Sequence, residues 1–533
     1  MNTSAVVIEY LAAAGIQHIF GYPGDPSVEF LEAARCAGMN FILASREGTA
    51  GLMAQAYGQL TGRPGVCLST LGPGATNLVN AVANAHLDRV PMLAISGQIE
   101  GRREPYFTHQ VVDHNRLFSP VCKWTAVVQP DTVGTIMRKG LRVACSERPG
   151  PVHLTIAADV VGAEASDDAV VLPPLRAMRT AQIFATRGAQ SDPLKLLKSA
   201  RRPIVLAGVS ALWSDAGDSL ARLAGNLGLP VVVTPMAKGV IPEDHPYYAG
   251  TLDMACNDYL WDFLRGADLV LAVGFDAVEL IKPWPLAVTT LHIDTVPNSD
   301  QIYQAQTEIV GDIAAILDAI TAAGTQAFWS EAEISAHRGG LAQRYYLGRV
   351  SGRLNPTDVV DVVRAAMPID TIVSTDVGSH KLLVGQGWTT HRPRTLLTSN
   401  GLSSMGYSLP AAIAAKIVHP DKPVVCFTGD GGLAMVQGEL RVAASLEIDP
   451  VVVVFCDNRL NRIELKQMAR HYPSWGTVIA PTDIVLLAQS MGCDGVVVDS
   501  AAALERALAA PRAGDRPLVI GANIDPAQYT AQF

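Results

Sequence analysis

Ten short apolar runs set the terms for this chain: "HIFGYPG", "GVCLSTLGPG", "PMLAISG", "RPIVLAGVS", "LPVVVTPM", "DLVLAVGF", "TIVSTDVG", "PVVCFTGDGG", "PVVVVFCDN" and "PLVIGANI". Each has an apolar core of four to eight residues, rich in β-branched side chains, and most end at glycine, aspartate or asparagine. A strand with one wet face alternates apolar and polar residues. An unbroken apolar strand is covered on both faces, as in parallel sheets flanked by helices. Stretches rich in alanine and leucine, with helical spacing, lie between the runs. The pattern predicts an α/β chain of three consecutive parallel-sheet domains.

At 533 residues the chain is too long for a single core. The first domain is expected over 1–165, closing at "GPVHLTIAADVVG", with "SDDAVVLPPLRAMRT" as a linker. The second is expected over 190–325. A polar, glycine-containing connection runs from Thr325 to Arg353, and the third domain covers 354–533. There Asn355-Pro356-Thr357 reads as a helix start signal.

Composition excludes several functions. Charged residues make up only 17% of the chain, formal net charge is −9 and no basic block appears, which argues against nucleic acid as a partner. The eight cysteines are scattered singly without a C-x-x-C pair, the pattern of buried thiols in a reducing compartment. The N-terminus lacks the basic start of a signal peptide. Apolar runs such as Val451 to Cys456 are far too short to span a bilayer. A cytoplasmic enzyme or binding protein with no membrane partner is expected.

The segment "VVCFTGDGGLAMVQGEL" concentrates the chemistry. Gly429, Gly431 and Gly432 let backbone amides approach a phosphate at a strand's carboxyl end, and the helix that follows favours negative charge. Asp430 is misplaced there unless a divalent cation bridges it to the phosphate. Mg²⁺ takes hard oxygens, and Asn458, 28 residues later after the next apolar run, offers a second. A carbonyl in "NRL", at Leu460, offers a third.

The glycine-Asp430-glycine turn with Asn458 at this spacing resembles the signature of thiamine-diphosphate (ThDP) enzymes. Over nearly the whole chain the sequence is similar to the acetolactate-synthase and 2-oxo-acid-decarboxylase group. "LSTLGPGATNLVNAVANAHLDRVPMLAISGQ" resembles that group's pyrimidine-binding domain; "DVGSH" and "SNGLSSMGYSLPAAIAAK" resemble its diphosphate-binding domain. The resemblance implies ThDP and Mg²⁺ as cofactors. It implies that Glu47, in "ASREGTAGLMAQAYGQLTG", hydrogen-bonds the pyrimidine N1′ and drives the 4′-amino group to its imino form. On the residues alone, Glu47 also suits a helix first turn after Ser45. Met405 falls at the position of the apolar wedge that bends the cofactor, and the Ser403 carbonyl at the position that receives the 4′-amino group, where relatives usually carry glycine. Gly378, Ser379 and His380 are expected to contact the diphosphate.

For the substrate, the resemblance divides. Gln110 matches the glutamine of the F-Q-E motif of acetolactate synthases, with His109 in place of the phenylalanine and Val111 in place of the glutamate. Asp25 and Glu464 stand where simple decarboxylases carry catalytic acids. As ordinary residues, Asp25 suits a helix N-cap and Glu464 a solvated partner of Lys466 or Arg462. The decarboxylase double histidine is absent, with His109 or His114 as substitutes. In the middle domain "AVGFDAVELIKPWP" replaces the F-D-D-R stretch around which flavin-containing relatives bind FAD, so FAD is not expected. The expected activity is decarboxylation of a small 2-oxo acid with or without carboligation. The alternatives are simple aldehyde release and flavin-dependent pyruvate oxidation. The expected assembly is a homodimer or homotetramer with ThDP across the subunit interface.

Overall fold

The computed structural model describes residues 1–166, 170–176, 192–324, 327–512 and 514–532. Residues 167–169 and 177–180 of the expected linker, the start of the second domain and the first two residues of the Thr325–Arg353 connection lie outside the described residues.

Three six-stranded, all-parallel sheets form, as the unbroken apolar runs require. The first holds β1 (His18–Gly21), β2 (Asn40–Leu43), β3 (Gly65–Ser69), β4 (Met92–Gln98), β5 (Trp124–Val127) and β6 (Pro151–Ala157), in the order β2-β1-β3-β4-β6-β5. The second holds β7 (Pro203–Ala207), β8 (Val231–Val233), β9 (Tyr248–Thr251), β10 (Leu269–Val273), β11 (Thr289–Asp294) and β12 (Thr307–Val310), ordered β12-β11-β10-β7-β8-β9. The third holds β13 (Ile372–Thr375), β14 (Leu396–Thr398), β15 (Val424–Gly429), β16 (Val451–Cys456), β17 (Asp494–Val498) and β18 (Leu518–Asn523), ordered β14-β13-β15-β16-β18-β17. The central strands β4 and β6 are buried along their whole length, whereas the edge strand β2 buries one residue.

Each sheet has a switch point, where the connections from two neighbouring strands run off in opposite directions, and ligands of open α/β sheets bind outside the strand ends there. The switch point falls between β1 and β3, between β7 and β10, and between β13 and β15. "DVGSH" follows β13 and Asp430 follows β15, so both motifs sit at the third sheet's switch point.

Eight helices carry the argument below: α1 (Glu47–Thr61), α2 (Pro73–Leu87), α3 (Val209–Trp213), α4 (Ser379–Gly387), α5 (Ser408–Val418), α6 (Asp430–Val436), α7 (Glu439–Ser445) and α8 (Asn461–Met468). The chain divides into two compact units. One comprises Met1–Met178, Leu402–Asp421 and Val436–Ile448, and so joins α5 and α7 to the first sheet. The other comprises Arg179–Gly401, Lys422–Met435 and Asp449–Phe533, with the second and third sheets.

Candidate active site

In the first unit, Glu47 opens α1. Arg46 is the N-cap and makes no side-chain cap bond, so the first turn is held by other means. Glu47 is buried, and its Oε2 accepts a hydrogen bond from Asn77 Nδ2 of α2 at 3.1 Å. A Cβ at Gly74 would lie 3.0 Å from Glu47 Oε1, so glycine there keeps space beside the carboxylate. The two helices meet closely: a Cβ on Gly51 of α1 would lie 2.5 Å from Ala81 Cβ of α2.

The segment carrying Ser403 and Met405 is fastened to the same unit. Asn80 Nδ2 donates to Ser404 Oγ at 2.8 Å, and the buried Tyr407 hydroxyl donates to Gln59 Oε1 on α1. Met405 is half-buried. Ser403 has φ +56°, the left-handed region that glycine enters most readily. That is a local reason for glycine at this position in relatives; the serine here holds the same turn at a cost of about 1 kcal/mol.

Asp25 begins a short 3₁₀ turn (Asp25–Ser27) after β1 and is exposed. It does not cap the following helix: Ser27 occupies that N-cap, and the turn is closed by Ser27 Oγ and Gly24. His109 and Gln110 are both exposed, and Gln110 has φ +62°. A Cβ at Gly72 would lie 2.5 Å from the Gln110 carbonyl oxygen, so that loop needs glycine beside it. His114 is buried beside the His153 ring, and burial pushes its pKa down to about 4, which leaves it a neutral packing residue.

The second unit gathers the remaining residues at the switch point of its third sheet. Gly378, with φ +153°, is the N-cap of α4, and Ser379 Oγ donates to Asn461 Oδ1 at 2.8 Å. His380 stacks on Phe455 with ring centroids 5.1 Å apart. Burial pushes its pKa down to about 3, and its Nε2 has no hydrogen-bond partner among the described residues. A Cβ on Gly429 would lie 3.2 Å from the His380 ring, and one on Gly432 would lie 2.6 Å from Asp376 Oδ2. Asp430 Oδ1 accepts the Gly431 N–H at 2.7 Å; Oδ2 accepts the Asn458 N–H at 2.6 Å and the Asp457 N–H at 3.3 Å. The ends of β15 and β16 are therefore joined through one carboxylate. Burial raises the pKa of Asp430, and burial followed by the Asp430 charge pushes Asp457 up to about 7. Asn458 is exposed with φ +56°. The Leu460 carbonyl accepts the N–H groups of Ile463 and Glu464 at 2.9 and 3.1 Å, as the N-cap of α8. Glu464 forms an ion pair with Arg459.

Two acids went unremarked in the sequence. Glu439, at the first position of α7, is fully buried in the first unit; its Oε1 accepts the Ser45 N–H at 3.0 Å and the Thr49 hydroxyl at 2.6 Å. Glu279 lies in the single turn of a short 3₁₀ segment (Ala277–Glu279) at the second sheet's switch point. Its carboxylate accepts the Val209 N–H, the Asp276 N–H and the Thr234 hydroxyl. Both acids lie at helix or turn starts, where surface acids are common, so composition offered no signal for either.

Residues 1–117 match the family described as thiamine pyrophosphate enzyme, N-terminal TPP binding domain. Residues 191–320 match that enzyme's central domain, and residues 376–522 its C-terminal TPP binding domain. A probable acetolactate synthase large subunit of Methanococcus aeolicus is 30% identical over 558 aligned residues, covering 99% of this chain and 92% of that protein. The chain belongs to the thiamine pyrophosphate enzyme family. Other relatives divide as the motifs do. An acetolactate synthase of Bacillus subtilis is 29% identical, covering 98% of this chain and 92% of its own. A probable 2-ketoarginine decarboxylase of Pseudomonas aeruginosa is also 29% identical, covering 92% and 89%.

The residues present fit the family's cofactor. At the switch point the buried His380 Nε2 has no hydrogen-bond partner among the described residues, and a Cβ on Gly429 or Gly432 would crowd the His380 ring or Asp376, so glycine keeps open the space that a phosphate needs. Among the described residues no group of three or more His, Cys, Asp or Glu side chains is placed to hold a metal. A cation at Asp430 therefore draws on amide, carbonyl and phosphate oxygens, a set that suits Mg²⁺.

Proposed function

We propose that this enzyme uses ThDP and Mg²⁺ to decarboxylate a small 2-oxo acid and to join the resulting acyl unit to an acceptor carbonyl, as acetolactate synthases do. The observation that carries the reading is the joining of two strand ends through Asp430, with Asn458 beside it, at the switch point of the third sheet. Asp430, the Asn458 amide and the Leu460 carbonyl hold the cation; the Leu460 oxygen shares itself with the first turn of α8. Gly378, Ser379, His380 and the amides of Gly431 and Gly432 take the diphosphate, and Gly429 keeps the approach open. Bound ThDP supplies a carbon nucleophile and an electron sink for the carbon next to the departing carboxylate. Glu47, oriented by Asn77, holds the proton addressed to the pyrimidine N1′. Met405 wedges the two rings, and the Ser403 carbonyl receives the 4′-amino group. Gln110 and His109 face the acceptor. The domain limits 1–165, 190–325 and 354–533 serve as working boundaries for the three parts.

Simple decarboxylation is the second reading, favoured by Asp25, exposed in the turn that follows β1, and by the mostly buried Glu464. The two readings separate by product analysis with pyruvate and a panel of 2-oxo acids, with and without added aldehyde. A hydroxyketone product supports carboligation. Aldehyde alone under all conditions supports the second reading.

The central domain works without flavin in this reading. At the β7–β10 switch point, where a dinucleotide binds in folds of this order, the Glu279 carboxylate already takes the available donors. We place the active enzyme as a homodimer or homotetramer in the cytoplasm. All eight cysteines are free thiols, and among the described residues no helix is long and apolar enough to cross a membrane.

A further inference from the structure

Glu439 stands apart from the residues used so far. It is fully buried, its Oε1 accepts from Ser45 N–H and Thr49 Oγ1, and its Oε2 has no partner among the described residues. Ser45 and Thr49 flank Glu47 by two residues on each side, on the turn that opens α1. That turn has no side-chain cap of its own. Thr49 Oγ1 also lies 2.8 Å from the Arg46 carbonyl, so the hydroxyl is held between the helix start and the Glu439 carboxylate. A Cβ on Gly438 would lie 3.0 Å from Ser45 Oγ, so the residue before Glu439 is pressed against the same turn.

A buried carboxylate is costly unless its oxygens are satisfied, and its retention calls for a compensating role. The surface-acid explanation fails because the side chain is not at the surface. A purely structural tie between two helices would be served by an apolar residue without that cost. What the carboxylate supplies is direction: two acceptor bonds at fixed angles, one to the backbone just before Glu47 and one to the side chain just after it.

We propose that Glu439 is the positioning residue of Glu47, clamping the Ser45–Thr49 turn so that the Glu47 carboxyl is held in its working orientation. The inference rests on Glu47 as the acid that addresses the cofactor. Asn77 steers the Glu47 carboxyl from α2, and Glu439 fixes the backbone from which that side chain springs. Misplacing a reacting group by about 1 Å costs up to about a hundredfold in rate, so the clamp acts on rate rather than on cofactor affinity.

The test uses full-length protein and the variants Glu439→Ala, Glu439→Gln, Thr49→Val and Glu47→Gln. In cofactor-free protein, amide hydrogen exchange over residues 44–50 rises in Glu439→Ala, because the Ser45 N–H loses its acceptor. With ThDP and Mg²⁺ bound, exchange of the thiazolium C2 hydrogen, read by quenched NMR, slows roughly ten- to a hundredfold in Glu439→Ala and several-fold in Thr49→Val. Calorimetric ThDP affinity changes by less than about threefold. Glu439→Gln recovers C2 exchange to within about fivefold of the parent, because the amide oxygen accepts the same two bonds. Unchanged C2 exchange in Glu439→Ala, beside a slowed Glu47→Gln, overturns the clamp and leaves the role of Glu47 standing. Unchanged exchange in Glu47→Gln removes that role and the clamp with it. Glu439→Gln as slow as Glu439→Ala also overturns the clamp, since the proton of Glu439 would then matter rather than its acceptor geometry. If Glu439→Ala fails to fold, Thr49→Val decides, and parent-like C2 exchange in that variant overturns the proposal.

Discussion

Replacing Glu279 by glutamine isolates the pH dependence of one buried carboxyl. The residue is 1% exposed, and burial pushes its pKa up to about 8 from an ordinary 4.5 although three donors point at it. Its folded pKa is raised, so its contribution to stability is fully present below pH 4.5 and is lost as pH rises through 8. A shift of 3.5 units at 1.36 kcal/mol per unit sets an upper bound of about 5 kcal/mol on that loss. Glutamine does not titrate. Its carbonyl oxygen still accepts from Val209 and Thr234, while its amide group faces the Asp276 N–H, a donor-to-donor contact costing about 1–3 kcal/mol at every pH. Because the chain has several domains, a single unfolding free energy is not defined for it. Local opening is therefore read by hydrogen exchange of the segment 204–213, which includes the Val209 amide. At each pH the ratio of parent to variant rates cancels the intrinsic base catalysis of exchange. Between pH 5 and 9 that ratio is expected to rise by roughly two to three orders of magnitude, as the parent loses its protonated carboxyl and the variant does not. A ratio independent of pH over this range would refute a neutral, buried Glu279.

Asp430→Ala should abolish ThDP binding in the presence of Mg²⁺, because the diphosphate loses its bridging cation and two strand ends lose their shared acceptor; titration calorimetry reads this directly, and parent-like affinity would contradict the metal assignment. Mixing inactive Glu47→Ala with inactive Asp430→Ala, under conditions of proven subunit exchange, should restore activity when the site is built across two subunits, since a mixed dimer keeps one intact site. Ser403→Gly should raise thermal stability by up to about 1 kcal/mol, because φ +56° costs serine what it does not cost glycine; a lowered melting temperature would count against strain at that turn.

The three-sheet architecture was legible because its signal is local. A strand covered on both faces must be apolar at every position, and that demand is written in consecutive residues such as those of β15 and β16. The placement of "DVGSH" and Asp430 at one switch point follows from strand order, which consecutive residues do not display. Sequence spacing put Asn458 28 residues after Asp430. It could not show that the Asn458 backbone, through its N–H, meets the Asp430 carboxylate directly. For Glu464, helical spacing points to Lys466 or Arg462, and the fold adds Arg459, just ahead of α8, as an ion-pair partner. Asp25 has the residue type of a helix cap, but Ser27 supplies that turn's hydrogen bonds.

The acids that escaped notice share a physical cause. Glu279 and Glu439 each stand at the start of a helical turn, a place where an exposed acid is favoured by the helix dipole and needs no further explanation. Only packing distinguishes them: each is buried, and each takes a donor from a residue 70 or more positions away in the chain. Such a carboxylate has opposite meanings in the two places. At the second sheet Glu279 takes the Val209 N–H, the Asp276 N–H and the Thr234 hydroxyl, and so ties together the segments that follow β7, β10 and β8. In the first unit Glu439 leaves one oxygen unmatched and spends the other on the turn that presents Glu47. The same residue type thus serves two different local ends, and the difference lies in which donors the fold brings to it.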